Sequence, residues 1–309
     1  MWRVDAAAER AVVDRGVRRP DRRRAARSRS RRCRSGAVSA IGWAICFWGI
    51  LVREVLRFVH QRERFFAALV RPLVWLLVFA AGFRAALGIA IMPPYQTYIT
   101  YEVYIVPGLL GMIQLFNGMQ SSLSMVYDRE MGSMKILLMT PLPRWYLLAA
   151  KLAAGTVVSL LQVYAFLAVA WAFDIRFPLV GYLSIVPALV LTGLMLGAVG
   201  LLLSSTIRQL ENFAGVMNFV IFPMFFLSSA LYPLWKLEEA STILPRIATL
   251  NPFTHAVELI RFALYGELNA PALAVTSVAL AAFLALSLVG YSPARGLMHR
   301  RAAGGGDAG

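Results

Sequence analysis

The residues of this sequence that could do catalytic chemistry are few and far apart. Three histidines and two cysteines are present, at His60, His255, His299, Cys33 and Cys46. No histidine begins an H-E-x-x-H zinc motif, and the cysteine spacing fits neither a metal site nor a disulfide framework. We therefore expect neither metal binding nor thiol chemistry.

The lysines argue against nucleotide binding by a phosphate loop. A G-x-x-x-x-G-K-[ST] loop needs a lysine directly after a glycine, because its backbone amides and that lysine hold the phosphates together. The three lysines, Lys135, Lys151 and Lys236, all follow other residues. We therefore expect no nucleotide cofactor in this chain.

Four carboxylates lie close in sequence near the C-terminal third of the chain: Glu238, Glu239, Glu258 and Glu267. A membrane-embedded lipid-modifying enzyme would keep a general acid or base in such a cluster, and this is one alternative. A water-facing surface explains the same residues without chemistry. No convergent nucleophile, acid and base accompany them, so the sequence does not predict an enzyme.

The most informative polar segment covers residues 127–151 and reads YDREMGSMKILLMTPLPRWYLLAAK. It separates two long apolar stretches, which is typical of a cytoplasmic loop of a membrane protein that a partner could contact. Asp128 and Glu130 are expected at the positive, N-terminal end of a helix. Gly132 permits a sharp turn, and Pro141 fixes the direction toward the next helix. The alternative is that these charges only hydrate a loop.

Membrane helices must position this segment. Hydrophobic residues make up 59% of the chain and charged residues 15%, which is too much apolar surface for a soluble globule. A helix needs about 20 apolar residues to cross a bilayer, and backbone in lipid must satisfy its own hydrogen bonds. We predict an all-α integral membrane protein with six transmembrane helices, at 65–90, 104–126, 146–173, 181–205, 214–234 and 271–291. Arg71 and Arg84 fall inside the first span, whose lipid-crossing part would then be shorter.

Charge predicts the orientation and the flanking segments. Arginine-rich ends place both termini in the cytoplasm by the positive-inside rule. Loops 127–145 and 206–213 would face the cytoplasm, and 91–103, 174–180 and 235–270 would lie outside. Residues 1–40 are predicted to be a disordered Arg-rich tail that meets anionic lipid rather than a specific nucleic acid. Residues 41–66 are predicted to be an amphipathic interface helix, 67–291 the membrane domain and 292–309 a second cytoplasmic tail.

Amide side chains occur inside the predicted spans, where each needs a partner or a water-lined path. They form either interhelical contacts or part of a substrate path, and the candidates for the path are Gln114, Asn117, Gln162 and Asn218. No charged pair lies deep in the later spans, as an ion-coupled secondary carrier would need. A secondary carrier stays an alternative, but energy is expected from another chain.

Several blocks of residues, in order along the chain, resemble the permease subunit of ABC-2 type exporters. They are Tyr101-x-x-Tyr104-x-x-Pro107-Gly108, Asp128-Arg129-Glu130-x-Gly132 followed by Pro141-x-Pro143-Arg144 and Lys151, Phe222–Ser228 with Tyr232-Pro233, and Asn251-Pro252-Phe253-Thr254 through Arg261. Each block alone is weak evidence, and the ordered set covering about residues 45–291 is strong. The tail before residue 41 has no counterpart in the family pattern.

The resemblance implies a permease dimer, homodimeric or paired with another permease, bound to two copies of a separate ATPase that holds ATP and Mg²⁺. It implies that residues 127–145 are the coupling helix, with Asp128, Arg129, Glu130, Gly132 and Pro141 as contact residues. It also implies two short re-entrant helices between the fifth and sixth spans, an outer hairpin with Tyr232, Pro233, Asn251, Pro252 and Arg261. The expected cargo is a drug, lipid, glycolipid or polysaccharide, and the expected location is a bacterial cytoplasmic (inner) membrane.

Overall fold

The computed structural model of the chain describes residues 40–60, 62–83, 94–95, 100–131, 143–207 and 209–291. These residues form ten α-helices and no strand, which confirms the all-helical prediction for the described ranges. The helices are α1 (Ala40–His60), α2 (Arg62–Phe83), α3 (Tyr101–Glu130), α4 (Arg144–Ala172), α5 (Leu179–Thr206), α6 (Leu210–Phe226), α7 (Leu234–Ala240), α8 (Leu244–Leu250), α9 (Pro252–Leu264) and α10 (Ala270–Gly290). The predicted tails, apart from the helical Ala40, lie outside the described residues.

The described residues from 45 to 291 belong to one compact unit, and the described residues 40–44 belong to another and are helical. The predicted interface segment 41–66 corresponds to α1 and the first residues of α2. Two arginines of α1 pair with Glu54: Arg53 Nη2 lies 3.1 Å and Arg57 Nη1 4.0 Å from Glu54 Oε1. Large apolar side chains such as Trp48 stay exposed along the same helix, so α1 carries charged and apolar groups side by side.

Three helices of the described chain are long and apolar enough to cross a membrane: Trp145–Ala172 within α4, α5, and α10. They agree with the predicted spans 146–173, 181–205 and 271–291 to within two residues at each end. Pro143 and Pro178 directly precede α4 and α5, where a residue with a fixed φ favours a helix start. Asn269 caps α10 by accepting a 3.0 Å hydrogen bond from Ala272 N.

The other predicted spans behave differently. Helix α3 has 30 residues and is about 45 Å long at 1.5 Å per residue, but it is more polar than the three spans above. The apolar part of α2 covers Leu69–Val78 only. Helix α6 ends at Phe226, so the prediction of one span over 214–234 is wrong at its end. There Ser228 Oγ donates to Phe225 O and accepts from Ala230 N, closing a turn within a sequence that is still apolar.

Helices α3 and α5 form the centre of the bundle. Helix α5 is apolar all round and mostly buried, as expected of a helix surrounded by others, and it contacts α3, α4, α9 and α10. The two backbones come very close at Gly118 and Gly197, where a Cβ atom added to Gly118 would lie 2.9 Å from Gly197 Cα. Small residues allow such close packing of membrane helices.

Three helices, α7, α8 and α9, connect α6 to α10, where the resemblance implied two. Helix α9 is well packed, because Phe253, Val257 and Ile260 are fully buried against the core. It contacts α3, α5, α8 and α10. The segment after α6 is therefore anchored to the centre of the bundle through α9.

Candidate functional site

The C-terminal end of α3 carries the acidic residues of the predicted coupling segment. Asp128 accepts a hydrogen bond from Lys151 of α4, with Nζ 3.3 Å from Oδ2. The lysine side chain is 6% exposed and the aspartate side chain 30%, so the cation is buried and the carboxylate reaches the surface. The ion pair ties the end of α3 to the start of α4.

The expectation that Asp128 and Glu130 begin a helix is wrong. Both occupy the last turn of α3, where the helix dipole is negative and disfavours carboxylates. For Asp128, the buried ammonium of Lys151 offsets this repulsion. Glu130 is the last residue of the helix and is exposed. The sequence placed the two acids in one motif with Lys151, but it gave no sign that Lys151 contacts Asp128.

The other predicted coupling residues are less fully defined. Arg129 belongs to the last turn of α3. Gly132 and Pro141 lie outside the described residues. The exposed part of the predicted site is therefore represented by Glu130 and by the edge of Asp128.

A small polar cavity adjoins this end of α3. It has a volume of about 30 Å³ and is lined by residues of α1, α3 and α4, including Glu54, Arg57, Ser121 and Gly155. A second cavity of about 10 Å³ lies between α3, α4 and α5 and shares Ser121 and Gly155 with the first. Volumes of this size hold about one water molecule each. The α1 charges thus reach the packed interior near the Asp128–Lys151 pair.

Three of the four predicted path amides hold helices together. Gln114 Nε2 donates to Leu189 O of α5 at 2.7 Å, and Thr192 Oγ1 donates to Gln114 Oε1 at 2.6 Å. Asn117 Nδ2 donates to Gln162 Oε1 of α4. These bonds join α3 to α5 and to α4, as polar side chains often do between membrane helices.

The fourth path amide, Asn218, lies apart from the other three. It is an exposed residue of α6, followed by Phe219, which is 77% exposed. One turn further, Phe222 is also exposed. This face of α6 is therefore polar at one point and aromatic beside it.

The N-terminal end of α3 meets a fully buried arginine. The Arg261 side chain of α9 donates to the carboxylate of Glu258 and, through Nη2, to Ser229 O at 2.9 Å. Its guanidinium carbon lies 4.2 Å from the centre of the Tyr104 ring, a cation–π contact. Tyr104 OH also donates to Ser229 O, at 3.0 Å. One residue of α9 thus binds α3 and the turn after α6.

Burial would lower the pKa of Arg261, but the Glu258 carboxylate beside it outweighs burial, and the pKa is raised above its ordinary value. For the tyrosine Tyr95, burial has the opposite effect and raises the pKa. Its hydroxyl is buried without a hydrogen-bond partner among the described residues. The cluster therefore holds a permanent cation and neutral phenols.

Asn251 bridges two helix ends in the predicted outer hairpin. Its Nδ2 donates to Met224 O and Leu227 O, both at 2.8 Å, which satisfies carbonyls at the end of α6. Its Oδ1 accepts from Phe253 N at 3.0 Å and caps α9, whose first residue is Pro252. Pro233 precedes α7 and is buried, and Tyr232 is half-buried against the core. The structure thus brings Asn251, Pro252 and Arg261 onto one helix and its cap.

None of these clusters has the composition of a catalytic centre. Within the ranges that the structure describes, no group of three or more His, Cys, Asp or Glu side chains is placed to hold a metal ion. At one end of α3 an ion pair joins Asp128 to Lys151 of α4, and at the other end the Tyr104 ring contacts Arg261 of α9.

Comparison with known proteins gives a family match over most of this bundle. A family model described as ABC-2 type transporter matches residues 46–265. The chain is 31% identical over 169 residues to "Probable multidrug ABC transporter permease YbhR" of Escherichia coli, a match that covers 53% of this chain and 44% of that protein. This chain thus spans less than half the length of that relative.

A second group of relatives matches over a longer range. The chain is 27% identical over 224 residues to "Putative transport permease ycf38" of Pyropia yezoensis, covering 71% of this chain and 74% of that protein. It is 28% identical over 217 residues to the protein of the same name from Porphyra purpurea, covering 69% and 72%.

Proposed function

This chain belongs to the ABC-2 type transporter family, and we propose that it forms the membrane path of an ATP-driven exporter. A separate ATPase in two copies would bind ATP and Mg²⁺, since the phosphate-loop sequence is absent from this chain. The permease would work as a dimer, either of two identical chains or with a paired permease, in a bacterial cytoplasmic membrane. The name of the relative YbhR supports transport of drug-like molecules.

The observation that carries this proposal is the exposed acidic end of α3. Glu130 ends a 30-residue helix and is free to contact another protein, while the preceding Asp128 is fixed to Lys151 of α4. A force applied at Glu130 would therefore act on α3 and α4 together. We assign this end, with Arg129, Gly132 and Pro141, to the contact with the ATPase.

The mechanism that we propose is alternating access driven from outside the chain. ATP would close the paired ATPases, and their movement would shift the α3 ends of both permeases. The permease pair would then change between inward-open and outward-open packings, two states whose populations the ATPase biases. In this scheme both termini are cytoplasmic and α2, α3, α4, α5, α6 and α10 are the six spans.

The path and the lid follow from the same scheme. Asn218 on the exposed face of α6 is the predicted path amide that a passing molecule would touch. Gln114, Asn117 and Gln162 would shape the path by holding α3, α4 and α5 together. The segment with Tyr232, Pro233, Asn251, Pro252 and Arg261 would be a lid at the outer face, kept in place by the buried arginine.

The experiment that tests the proposal is purification of the tagged chain from its native membrane in mild detergent, with mass spectrometry of proteins recovered at a near one-to-one ratio. We expect an ATPase with a phosphate loop. The double variant Arg129→Ala, Glu130→Ala should lose it. Glu267→Ala, which removes an exposed carboxylate after α9, is the matched control and should keep it.

Other results would favour the alternatives. An active chain recovered alone, with transport driven by an ion gradient, would identify a secondary carrier. Turnover of a lipid by the isolated chain would identify a membrane enzyme. If Glu130→Ala left both assembly and transport-coupled ATP hydrolysis unchanged, the coupling role of this residue would be wrong.

A further inference from the structure

Arg71 lies in the apolar part of α2 and stacks on an aromatic ring of α3. Its guanidinium carbon is 3.9 Å from the centre of the Phe116 ring, and the residue is exposed. It belongs to the apolar stretch Leu69–Val78. A cation over a ring face gains some attraction, but a ring does not neutralise its charge.

Two buried cations of the described chain contrast with Arg71. Lys151 has a carboxylate partner in Asp128, and Arg261 has one in Glu258. In the part of the chain that the structure describes, no carboxylate lies within ion-pair distance of Arg71. Charged side chains inside membrane helices are costly and usually mark a path for ions or substrates.

The position of Arg71 along the bundle follows from its contact with Phe116. Phe116 stands fifteen residues after the start of α3 and fourteen before its end, so it lies about 22 Å from each end of the helix. The guanidinium therefore lies beside the midpoint of α3. Both residues fall inside predicted spans, Arg71 in 65–90 and Phe116 in 104–126. An acidic cargo and a lipid headgroup share the chemistry that would bind there, and the experiment below distinguishes them.

Aromatic side chains continue from Arg71 along the same surface. Trp75, one helical turn further on α2, packs edge-on against Phe226 with ring centres 5.6 Å apart. Phe226 in turn stacks with the exposed Phe222, at 6.1 Å. Asn218 stands one turn before Phe222 on α6, so both share a face. This surface thus combines the Arg71 guanidinium, a row of aromatic rings and the amide of Asn218.

We propose that Arg71 and Phe116 form an anion subsite in the transport path, which binds the acidic headgroup of an amphiphilic cargo. The headgroup would be a phosphate, carboxylate or sulfate, which the planar guanidinium holds by paired hydrogen bonds. The apolar body of the cargo would lie against Trp75 and Phe222. This inference rests on the proposed function and adds the charge class of the substrate.

The test uses the chain with its copurified ATPase, reconstituted in phosphatidylcholine nanodiscs. Fluorescent phosphatidic acid and fluorescent diacylglycerol with the same acyl chains are the probes, because they differ only in the phosphate. We expect the wild type to bind phosphatidic acid at least about tenfold more tightly, as one charge-assisted contact would give. Arg71→Gln should abolish this preference, and Arg71→Lys should keep part of it.

The matched control is Arg246→Gln, which removes an exposed arginine from α8 and should bind like the wild type. Equal affinity of the wild type for both probes, or an unchanged preference in Arg71→Gln, would overturn the subsite. Loss of probe binding when phosphatidylglycerol is added to the bilayer would show that a resident lipid fills it, which overturns the assignment to cargo. Absence of an ATPase in the preparation would reject the proposed function instead, and the binding comparison would still be read.

Discussion

Lys151 Nζ lies 3.3 Å from Asp128 Oδ2, and the lysine is the more buried of the two partners. The pair joins α3 to α4 next to the exposed Glu130. Its asymmetry matters, because an unpaired charge costs most where water cannot reach it. Removal of Asp128 should therefore destabilise the protein more than removal of Lys151.

We expect Asp128→Asn to lower the free energy of unfolding by about 2–3 kcal/mol, because it leaves the buried ammonium without a counter-ion. Lys151→Gln should cost less, since the side chain of the remaining Asp128 is 30% exposed and water can reach its carboxylate. Thermal unfolding of the detergent-purified protein measures both. The double variant should lose less than the sum of the two losses, and Glu130→Gln is the control. Additive losses would show that the pair does not interact.

Replacement of Arg261, at the other end of α3, should destabilise the protein more. Arg261→Lys keeps the charge but cannot bind Glu258, Ser229 O and the Tyr104 ring at once, so we expect a loss of about 2–4 kcal/mol. Because the pKa of Arg261 is raised, its contribution to stability is fully present at pH values below the ordinary pKa of arginine. The contribution is lost only as pH rises through the raised pKa. Unfolding curves at pH 7 and pH 9 should therefore give the same loss.

A neutral replacement of the whole pair provides the control. Arg261→Met combined with Glu258→Gln removes both charges, and it should be more stable than Arg261→Met alone. If the double variant is no better than the single one, the Glu258 charge does not depend on Arg261 for its stability.

Variants of Asn251 can distinguish its two roles, as the cap of α9 and as a bridge from α9 to α6. Asn251→Ser keeps an acceptor for Phe253 N and loses both donated bonds to α6, which should cost about 1–2 kcal/mol. Asn251→Asp also keeps the cap but sets a carboxylate against two carbonyl oxygens, so it should cost more. Thermal unfolding should rank the wild type above serine and serine above aspartate. An aspartate variant as stable as the wild type would mean that the bridge is unimportant.

Gly108 allows α3 to approach the turn after α6. A Cβ atom at this position would lie 2.5 Å from Ala230 O, and backbone cannot move aside as a side chain can. We expect Gly108→Ala to destabilise the protein by about 1–3 kcal/mol. Gly215 of α6 has no atom within 4 Å of its added Cβ, so Gly215→Ala should be neutral or stabilising by up to about 1 kcal/mol. Equal effects of the two variants on the unfolding temperature would contradict this.

The sequence predicted the helices that end at clear breaks. Prolines before α4 and α5 and Asn269 before α10 stop the apolar pattern, and these three spans agree with the structure. The end of α6 was missed because the apolar residues continue through the turn at Ser228, where hydrogen bonds rather than composition end the helix. Hydropathy cannot detect such a turn.

The site residues could be recognised by type, but their partners could not. Arg261 was recognised as a site residue, but its pairing with Glu258, three residues before it on α9, required the structure. Asp128 and Lys151 are 23 positions apart on two helices, so their contact depends on how α3 packs on α4. Arg71 was visible as an arginine in a predicted span, but its contact with Phe116 required the fold.

The closest approach of α3 to α5, at Gly118 and Gly197, is a point about which α3 would turn in the proposed mechanism. From that contact the helix extends seventeen residues toward Tyr101 and twelve toward Glu130, which gives arms of about 25 and 18 Å. A tilt of about 10° at the contact would move the two ends in opposite directions, by about 4 Å and 3 Å for arms of these lengths. The longer part of α3 is the one that contacts Arg261, so under the proposed coupling a movement at the acidic end would produce a larger movement beside the buried arginine.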